Sequence, residues 1–203
     1  MIGIIDYGLG NLRSVLGAVE KLGQSGVISA NPGELSGCEK LILPGVGAFG
    51  DGMGNLAARG MIEPLNKLVR LDRKPILGIC LGFQLLAETS EEFGAHEGLG
   101  WIPGHVKRIR PGTDALRVPH VGWNDFEKAG DCILFDDIPD PALFYFVHSY
   151  HLETDPGITV GTCTYGRPLC AAVQSGNVFG TQFHPEKSQQ YGLKVLQNFL
   201  ERA

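Results

Sequence analysis

The amino-terminal half of the chain alternates short apolar runs with stretches of helical spacing, and this alternation limits the possible folds more than any other feature. It is typical of βαβ units, in which each helix connects two parallel strands and covers the sheet. After the first run, apolar residues recur at helical spacing, with Asn11 placed to cap a helix and Gly23 placed to end it. The predicted strands are residues 2–6, 27–30, 40–43 and 75–80, and a further helical stretch covers residues 61–71.

The pattern changes in the second half, where short apolar segments at 101–109, 143–150, 158–164 and 177–183 are separated by Pro, Gly and Asp. Such segments predict strands joined by turns, and hence an antiparallel or mixed edge of the sheet. Apolar residues return to helical spacing at the end, which predicts a final helix on the same core. Because no repeat or linker interrupts the sequence, we expect one domain over residues 1–203, of the α/β class, with a central mostly parallel sheet flanked by helices.

Composition and charge restrict the classes of function. With 43% hydrophobic and 19% charged residues, a chain of 203 residues can bury a sizeable core and is not a disordered protein. The formal net charge of −5 provides no basic field that would attract nucleic acid or an anionic membrane surface. No apolar run is long enough to span a membrane and the first residues lack the pattern of a secretion signal, so the expected location is the cytoplasm.

Five cysteines are spread along the sequence without a Cys-x-x-Cys pair, which suits a reducing compartment. Cys80 differs from the others because Gly78-Ile-Cys-Leu-Gly82 follows a buried-strand pattern and precedes a helical one. This is the pattern of a nucleophile elbow, in which glycines allow a tight turn and the start of the helix stabilises a thiolate. A core cysteine between glycines that serve only close packing is the alternative interpretation.

The triplet His184-Pro-Glu186 supplies the base that such a cysteine needs. Pro185 favours an extended His184, and the two-residue period of an extended chain then directs His184 and Glu186 to the same side. A carboxylate on one ring nitrogen fixes the tautomer and leaves the other nitrogen free to take a thiol proton. A histidine at a strand end can also be purely structural, but together with the elbow the triplet predicts a Cys80–His184–Glu186 relay.

Residues 45–50, with the sequence GVGAFG, match the dinucleotide-binding pattern G-x-G-x-x-G after a strand. That pattern should open a helix at once, whereas two more glycines follow, and each resists helix formation by about 1 kcal/mol. We therefore interpret the segment as a loop that donates a backbone N–H from Val46 or Gly47. With the N–H of Leu81, this donor would form an oxyanion hole for the attacked carbonyl. A structural turn is the simpler alternative.

The remaining histidines do not indicate a metal site. His148 and His151 are three residues apart, which in a strand places them on opposite faces, and no cysteine-rich motif accompanies them. His96, His105 and His120 have no partner in the sequence pattern. We therefore expect neither a metal nor a cofactor, and His151 receives no role.

The elbow and the late His-x-Glu resemble the class I glutamine amidotransferases, whose triad is Cys, His and Glu. Motifs along the whole chain extend the resemblance to the glutaminase subunits of that family that serve histidine biosynthesis. Phe83 departs from the pattern, because the family usually carries methionine there, and this swap changes packing beneath Gln84 without removing a catalytic group. The segments that carry the resemblance are 6–12 (DYGLGNL), 44–53 (PGVGAFGDGM), 78–84 (GICLGFQ), 122–124 (GWN), 145–150 (YFVHSY) and 182–188 (QFHPEKS).

The resemblance implies a mechanism and a set of site residues. Cys80 would attack the side-chain amide of glutamine, His184 would shuttle the proton to the leaving nitrogen, and Glu186 would support the imidazolium. Water would then cleave the thioester to give glutamate and ammonia. The family positions that bind the substrate correspond here to Gly47, Gln84, Glu92, Ser149 and Tyr150.

The resemblance also implies a heterodimer. In the family, the glutaminase subunit pairs with a cyclase of (β/α)8-barrel fold, which uses the ammonia to form imidazole glycerol phosphate and an aminoimidazole carboxamide ribotide. The residues implied to face the cyclase are Asn11, Trp123, Tyr145 and Lys187, with Trp123 as the main anchor. Family members are nearly silent until the cyclase binds its own ligand, and rotation of the Val46 peptide to complete the oxyanion hole would explain this.

Other functions stay open at this point. The chain could serve another class I pathway, such as those for anthranilate or pyridoxal phosphate, or be a cysteine hydrolase of similar fold, because all of these share the elbow. It could also be a nucleotide-binding module without chemistry that uses the glycine loop. Such a module would bind nicotinamide cofactors equally well after Cys80→Ala.

Overall fold

The structure is a computed structural model that describes residues 1–112 and 116–203. Its strands are β1 (Ile2–Ile5), β2 (Gly26–Ser29), β3 (Lys40–Gly45), β4 (Ile76–Cys80), β5 (Thr89–Ser90), β6 (His96–Glu97), β7 (His105–Arg108), β8 (His120–Lys128), β9 (Ala142–His148), β10 (Tyr150–Glu153), β11 (Thr159–Tyr165), β12 (Arg167–Ser175) and β13 (Val178–Thr181). Its α-helices are α1 (Leu12–Lys21), α2 (Pro32–Ser36), α3 (Phe49–Ala58), α4 (Ile62–Asn66), α5 (Leu81–Leu85) and α6 (Gln189–Arg202). A π-helical turn covers Lys67–Leu71, and 3-10 turns cover Ile133–Phe135 and Pro185–Lys187.

A nine-stranded sheet in the order β2-β1-β3-β4-β13-β12-β11-β8-β9 forms the centre of the fold. The strands from β2 to β13 in that order run parallel, and every later neighbour is antiparallel. The predicted fold class is confirmed. The antiparallel part is larger than an edge, and a second sheet of four strands, β10-β7-β5-β6, lies beside it. The strand predicted over 143–150 is divided between the two sheets, because β9 ends at His148 and β10 begins at Tyr150.

The centre of the large sheet brings two distant parts of the sequence together. Strands β4 and β13 are parallel neighbours, with Gly78 opposite Gly180 and Ile79 opposite Thr181. Both strands are buried along their whole length, as expected for continuous apolar runs inside a parallel sheet. Because the carboxyl ends of parallel strands meet at one edge, Cys80 at the end of β4 and His184 just beyond β13 lie at the same edge.

Helices cover both faces of the large sheet. Helices α1 and α6 pack on one face through Val15, Val19, Leu196 and Phe199, all of which are fully buried. Helices α3 and α5 pack on the other face, where Phe49, Leu56, Leu81 and Leu85 belong to a second core. This is the layered arrangement that the alternation of apolar runs and helical spacing predicts.

An aromatic cluster fixes the chain just before the predicted base. Phe183 is fully buried and stacks on Phe144 with ring centroids 4.1 Å apart. The rings of Phe126 and Phe146 meet the Phe183 ring edge-on at 5.6 and 5.8 Å. Such aromatic pairs stabilise by about 1 kcal/mol each beyond the area that they bury. The neighbouring residue, His184, therefore leaves the sheet from a rigid anchor.

The expectation that glycines keep the segment after β3 from forming a helix was wrong. Helix α3 begins at Phe49 and runs through Gly50, Gly52 and Gly54. A Cβ atom on Gly52 would lie 3.1 Å from the Leu85 side chain, and one on Gly50 would lie 2.6 Å from the His96 ring. Close packing of α3 against its neighbours therefore favours glycine at positions 50 and 52, and these tertiary contacts outweigh the low helix propensity of glycine.

Other sequence expectations differ from the structure in detail. Asn11 occupies the N-cap position of α1, but its side chain makes no capping hydrogen bond. The helix after Cys80 is short and ends at Leu85. Of the strand predicted over 101–109, only β7 forms, because Trp101 is buried and its Nε1 donates to Asn66 Oδ1 at 2.7 Å, which holds the preceding segment in an irregular path. Within the described ranges, no helix is long and apolar enough to cross a membrane.

Candidate active site

Cys80 has a backbone conformation that residues other than glycine rarely adopt. Its φ of 53° and ψ of −107° form a sharp turn between β4 and α5, as expected for a nucleophile elbow. A Cβ atom on Gly82 would collide with the carbonyl oxygen of Leu43, and one on Gly78 would lie 2.8 Å from the backbone of Phe83. The two glycines are thus needed for close backbone approach, which holds Cys80 in its strained turn.

His184 and Glu186 meet beside Cys80. The Nδ1 atom of His184 donates to Glu186 Oε1 at 2.8 Å, and the two side chains are 2% and 1% exposed. The Nε2 atom of His184 is buried and makes no hydrogen bond within normal limits of distance and angle, and its interaction partner is the Cys80 thiol. Catalytic hydrogen bonds are often loose before substrate binds. The structure therefore brings the three predicted residues together in the order thiol, imidazole, carboxylate.

The backbone conformation that brings Glu186 to His184 differs from the one predicted. His184 is extended, with φ of −96° and ψ of 97°, but Glu186 lies in the 3-10 turn Pro185–Lys187. The two-residue period of a strand therefore does not explain why Glu186 faces His184. The turn after Pro185 brings the carboxylate back toward the ring instead.

Local charges favour the protonated form of His184. Burial opposes a charged ring, but the adjacent Cys80 sulfur, the hydrogen bond to Glu186 and the negative charges of both groups outweigh it and raise the pKa of His184 to about 9. The second carboxylate oxygen, Glu186 Oε2, is buried without a hydrogen-bond partner, so the imidazolium is its main compensation. The arrangement places a cysteine beside an imidazole–carboxylate pair, which is the constellation that activates the nucleophile of cysteine amidases.

A cavity of about 460 Å³ opens over Cys80. This volume suits a small-molecule substrate. The predicted site residues that line it with Cys80 are Val46, Gly47, Leu81, Gln84, Glu92, Ser149, Tyr150 and Lys187.

The predicted oxyanion loop lies at one wall of the cavity. Val46 is 41% exposed, and Gly47 has a φ of 114°, a conformation that favours glycine. Leu81 directly follows Cys80 and is the first residue of α5. Its backbone N–H is one of the donors that the first turn of a helix leaves without an intrahelical partner. Beneath the loop, Tyr7 is fully buried, and burial together with the nearby Cys80 raises the pKa of its phenol.

Glu92 connects this cavity to helix α3. Its Oε2 atom accepts the backbone N–H of Phe49 at 2.7 Å, so a carboxylate already occupies the amino-terminal end of the helix. Burial raises the pKa of Glu92 and the Phe49 hydrogen bond partly offsets this. A dinucleotide site would need that helix end for its pyrophosphate. The glycine loop is therefore a poor dinucleotide site even though a helix follows it.

A second cavity of about 390 Å³ also contains a cysteine and a histidine, Cys170 and His151. Burial raises the pKa of the Cys170 thiol to about 11 and lowers the pKa of His151. The Nε2 atom of His151 contacts Arg167 at 2.9 Å, and Arg167 in turn pairs with Glu153. This second cavity therefore lacks a thiolate and a free base. The cavity that contains Cys80 is the better candidate for an active site.

Sequence reasoning missed two polar elements next to the cavity. His120 and His148, to which the sequence assigned no partner, lie on neighbouring strands with Nδ1 of His120 3.0 Å from Nε2 of His148. Gln182 is fully buried, and its Nε2 atom lies 3.8 Å from Cys80 Sγ. Only their place in the resembling segments 145–150 and 182–188 could have drawn attention to His148 and Gln182. In the part of the chain that the structure describes, no group of three His, Cys, Asp or Glu could hold a metal ion.

Comparison with known families agrees with this geometry. The profile of the family described as "Glutamine amidotransferase class-I" matches residues 3–203. The chain belongs to the class I glutamine amidotransferase family.

Relatives over nearly the whole length identify a branch of that family. The chain is 48% identical over 205 residues to "Imidazole glycerol phosphate synthase subunit HisH" of Geobacter sulfurreducens, with 98% of each protein covered. It is 50% identical over 201 residues to the protein of the same name from Methanocaldococcus jannaschii, with 99% of each covered. Within its class, the chain therefore groups with the HisH subunits of imidazole glycerol phosphate synthase.

Solved structures share the fold at low sequence identity. A protein described as "Crystal structure of glutamine amidotransferase" aligns with a TM-score of 0.77 and 21% identity over 98% of this chain and 97% of that one. The "Structure of PurLQS from Thermotoga maritima" aligns with a TM-score of 0.75 and 23% identity over 98% and 96%. These similarities support the α/β architecture described above.

Proposed function

We propose that this chain is the glutaminase subunit of an imidazole glycerol phosphate synthase and that Cys80, His184 and Glu186 perform the hydrolysis. The observation that carries the proposal is the strained Cys80 next to the buried His184–Glu186 pair, at the floor of a cavity of substrate size. The HisH relatives at about half identity supply the pathway, histidine biosynthesis.

In the first half of the reaction, His184 Nε2 takes the thiol proton and Cys80 Sγ attacks the amide carbon of the glutamine side chain. The negative charge on the former carbonyl oxygen is stabilised by the N–H of Leu81 and by an N–H of Val46 or Gly47. When the carbon–nitrogen bond breaks, the imidazolium returns its proton to the nitrogen, and ammonia leaves. A thioester between Cys80 and the glutamyl group remains.

In the second half, His184 takes a proton from water, and the hydroxide formed attacks the thioester carbon. The carbon–sulfur bond breaks, glutamate leaves, and the thiolate is restored beside the imidazolium. Glu186 keeps the ring in the tautomer with Nδ1 protonated throughout. In the proposed binding mode, Gln84, Glu92, Ser149, Tyr150 and Gly47 surround the glutamine.

The proposed partner is a cyclase with a (β/α)8 barrel, which docks on the edge hairpin formed by β8 and β9. Trp123 is 45% exposed, and its ring meets the Tyr145 ring across the strands at 6.1 Å. Lys187 Nζ lies 5.9 Å from the centre of the Tyr145 ring, and Lys187 also lines the cavity. Asn11 is exposed at the start of α1, the helix that packs against the Pro185–Lys187 turn. An aromatic and basic patch at the cavity rim suits an interface through which ammonia is transferred.

Ammonia release should depend on the partner. We expect slow release from glutamine by the chain alone, and release at least about tenfold faster after addition of a barrel cyclase with its ribotide ligand, because the ligand-bound partner completes the oxyanion hole. The measurement is coupled detection of glutamate. Full activity without the cyclase, or none with it, would contradict the proposal.

Trp123→Ala should weaken the complex with the cyclase by roughly 100-fold, because a half-exposed tryptophan at the centre of an interface is typical of a binding hot spot. Leu71→Ala serves as the control, since Leu71 is 75% exposed but lies on the π-helical turn rather than on the hairpin. Titration calorimetry gives both dissociation constants. Equal constants for the two variants would place the interface elsewhere.

A further inference from the structure

Gln182 is a buried polar side chain beside the nucleophile that the mechanism above does not use. It follows β13 directly, precedes the aromatic anchor Phe183 and is fully buried. Its Nε2 atom lies 3.8 Å from Cys80 Sγ, within reach of a hydrogen bond to sulfur. A fully buried amide in this place calls for a chemical reason, because burying an amide costs free energy unless its polar atoms find partners.

The orientation of the Gln182 amide is fixed by its neighbours. Gln84 Nε2 donates to the backbone carbonyl of Tyr150 at 2.9 Å and to Gln182 Oε1 at 2.9 Å. Because the Tyr150 carbonyl can only accept a hydrogen bond, the side-chain atom of Gln84 that faces it must be the nitrogen. Gln182 must then turn its oxygen to Gln84, and its N–H groups are left for Cys80.

Two histidines extend this chain of hydrogen bonds from the other side of the Tyr150 carbonyl. The Tyr150 carbonyl also accepts from His148 Nδ1 at 2.8 Å, so His148 carries its proton on Nδ1 and accepts on Nε2. Nδ1 of His120 donates to that Nε2 atom at 3.0 Å, and Nε2 of His120 accepts from Asn124 Nδ2 at 3.2 Å. Burial lowers the pKa of His148 to about 3 and that of His120 to about 4, so both rings stay neutral near pH 7. The donors and acceptors in the hydrogen bonds of His148 and His120 therefore stay the same near pH 7.

The surroundings of Cys80 Sγ leave few donors for a thiolate. A protonated thiol can donate to the Val147 carbonyl at 3.8 Å, but that carbonyl gives no support to a thiolate. Among the residues that the structure describes, the titratable groups that face Cys80 are His184, which Glu186 supports, and Tyr7. Gln182 differs from all of them because an amide donates without taking up or losing a proton.

We propose that Gln182 is a further catalytic residue, which donates an N–H to Cys80 Sγ and favours the thiolate in every step that forms or releases it. This inference rests on the proposed glutaminase function of Cys80. The amide donates to the sulfur while His184 moves the proton, and Gln84, itself held by the Tyr150 carbonyl, keeps the amide in the donating orientation.

The test is the pH profile of alkylation of Cys80 by iodoacetamide in the full chain, with peptide mass spectrometry to locate the label. Burial raises the pKa of the other four thiols, those of Cys38, Cys132, Cys163 and Cys170, so labelling in the neutral range reports Cys80. Gln182→Met removes the donor at similar volume and without charge. Gln182→Glu places a carboxylate beside the sulfur, and Gln24→Glu makes the same charge change at an exposed position far from the cavity.

We expect Gln182→Met to move the midpoint of the alkylation profile upward by about one pH unit, a roughly tenfold slower reaction below the midpoint. Gln182→Glu should move it further, and Gln24→Glu should leave it unchanged. Thermal unfolding checks that each variant is folded, and Gln182→Met decides alone if the buried charge unfolds the other variant. A Gln182→Met profile that superimposes on the wild type overturns the inference and leaves the glutaminase proposal intact. A wild-type Cys80 that reacts no faster than the other four cysteines would refute the glutaminase proposal itself.

Discussion

Cys80→Gly is expected to abolish glutamine hydrolysis and to stabilise the fold at the same time. Loss of the sulfur removes the nucleophile, so the partner-stimulated rate should fall by at least about 10⁴-fold. The positive φ of 53° at this position strains any residue with a Cβ atom, at a cost of order 1–3 kcal/mol, and glycine removes that strain. Ammonia measurement and urea unfolding of the same preparation test the two effects.

Cys80→Ala is the matched control for this experiment. Alanine also lacks the sulfur and its pairing with His184, but it keeps the Cβ atom and hence the backbone strain. After the entropic cost of glycine is subtracted, the glycine variant should be more stable than the alanine variant by about 1 kcal/mol. Equal inactivity with a less stable glycine variant would mean that the elbow at Cys80 is not strained.

Glu186→Gln is expected to lower kcat/KM for glutamine by roughly 10²- to 10⁴-fold. A glutamine at 186 can donate to Nδ1 of His184 and so favour the tautomer in which Nε2 carries the proton, and that tautomer cannot accept one from Cys80. The change also removes the charge that stabilises the imidazolium. Glu63→Gln, a substitution of the same type at an exposed position, should leave kcat/KM unchanged.

The same Glu186→Gln variant should change the pH dependence in a defined direction. In the wild type, activity should fall at high pH as His184 loses the proton that the leaving nitrogen needs, with a midpoint near its raised pKa of about 9. Burial alone lowers the pKa of a histidine, so without the Glu186 carboxylate the midpoint should move to lower pH. Rate measurements across pH 6 to 10 at roughly unit steps resolve the shift. An unmoved upper limb would mean that Glu186 does not set the charge of His184.

The sequence predicts those parts of the fold that depend on local pattern. The first four strands, β1 to β4, were found because buried parallel strands are continuous apolar runs with glycine turns at their ends. Helix α3 was missed because Gly50 and Gly52 pack closely against the side chains of His96 and Leu85, and a local propensity scale does not include such contacts. The small second sheet was also missed, since β5 and β6 have two residues each and carry almost no periodicity.

In the site, too, the residues with a local sequence pattern were predictable and those that depend on tertiary contacts were not. Cys80 could be assigned from sequence because the elbow is a local strand–turn–helix pattern, and His184 and Glu186 because they are separated by only one residue. The roles of Gln182, His120 and His148 could not, because their partners lie on other strands and a hydrogen-bond chain across a sheet has no local signature. The contact between Glu186 and His184 was predicted for the wrong reason, since Glu186 lies in a 3-10 turn and not in an extended chain.

The position of β13 has a consequence for how the molecule is made. This strand lies between β4 and β12 in the middle of the large sheet, yet it is the last strand to be synthesised. The ribosome therefore releases β4 long before its neighbour exists, and the two halves of the sheet stay separate until the final segment inserts between them. Incomplete chains lack both the central strand and the imidazole that follows it. A cell that is translating this protein would consequently hold no partly built chain able to liberate ammonia.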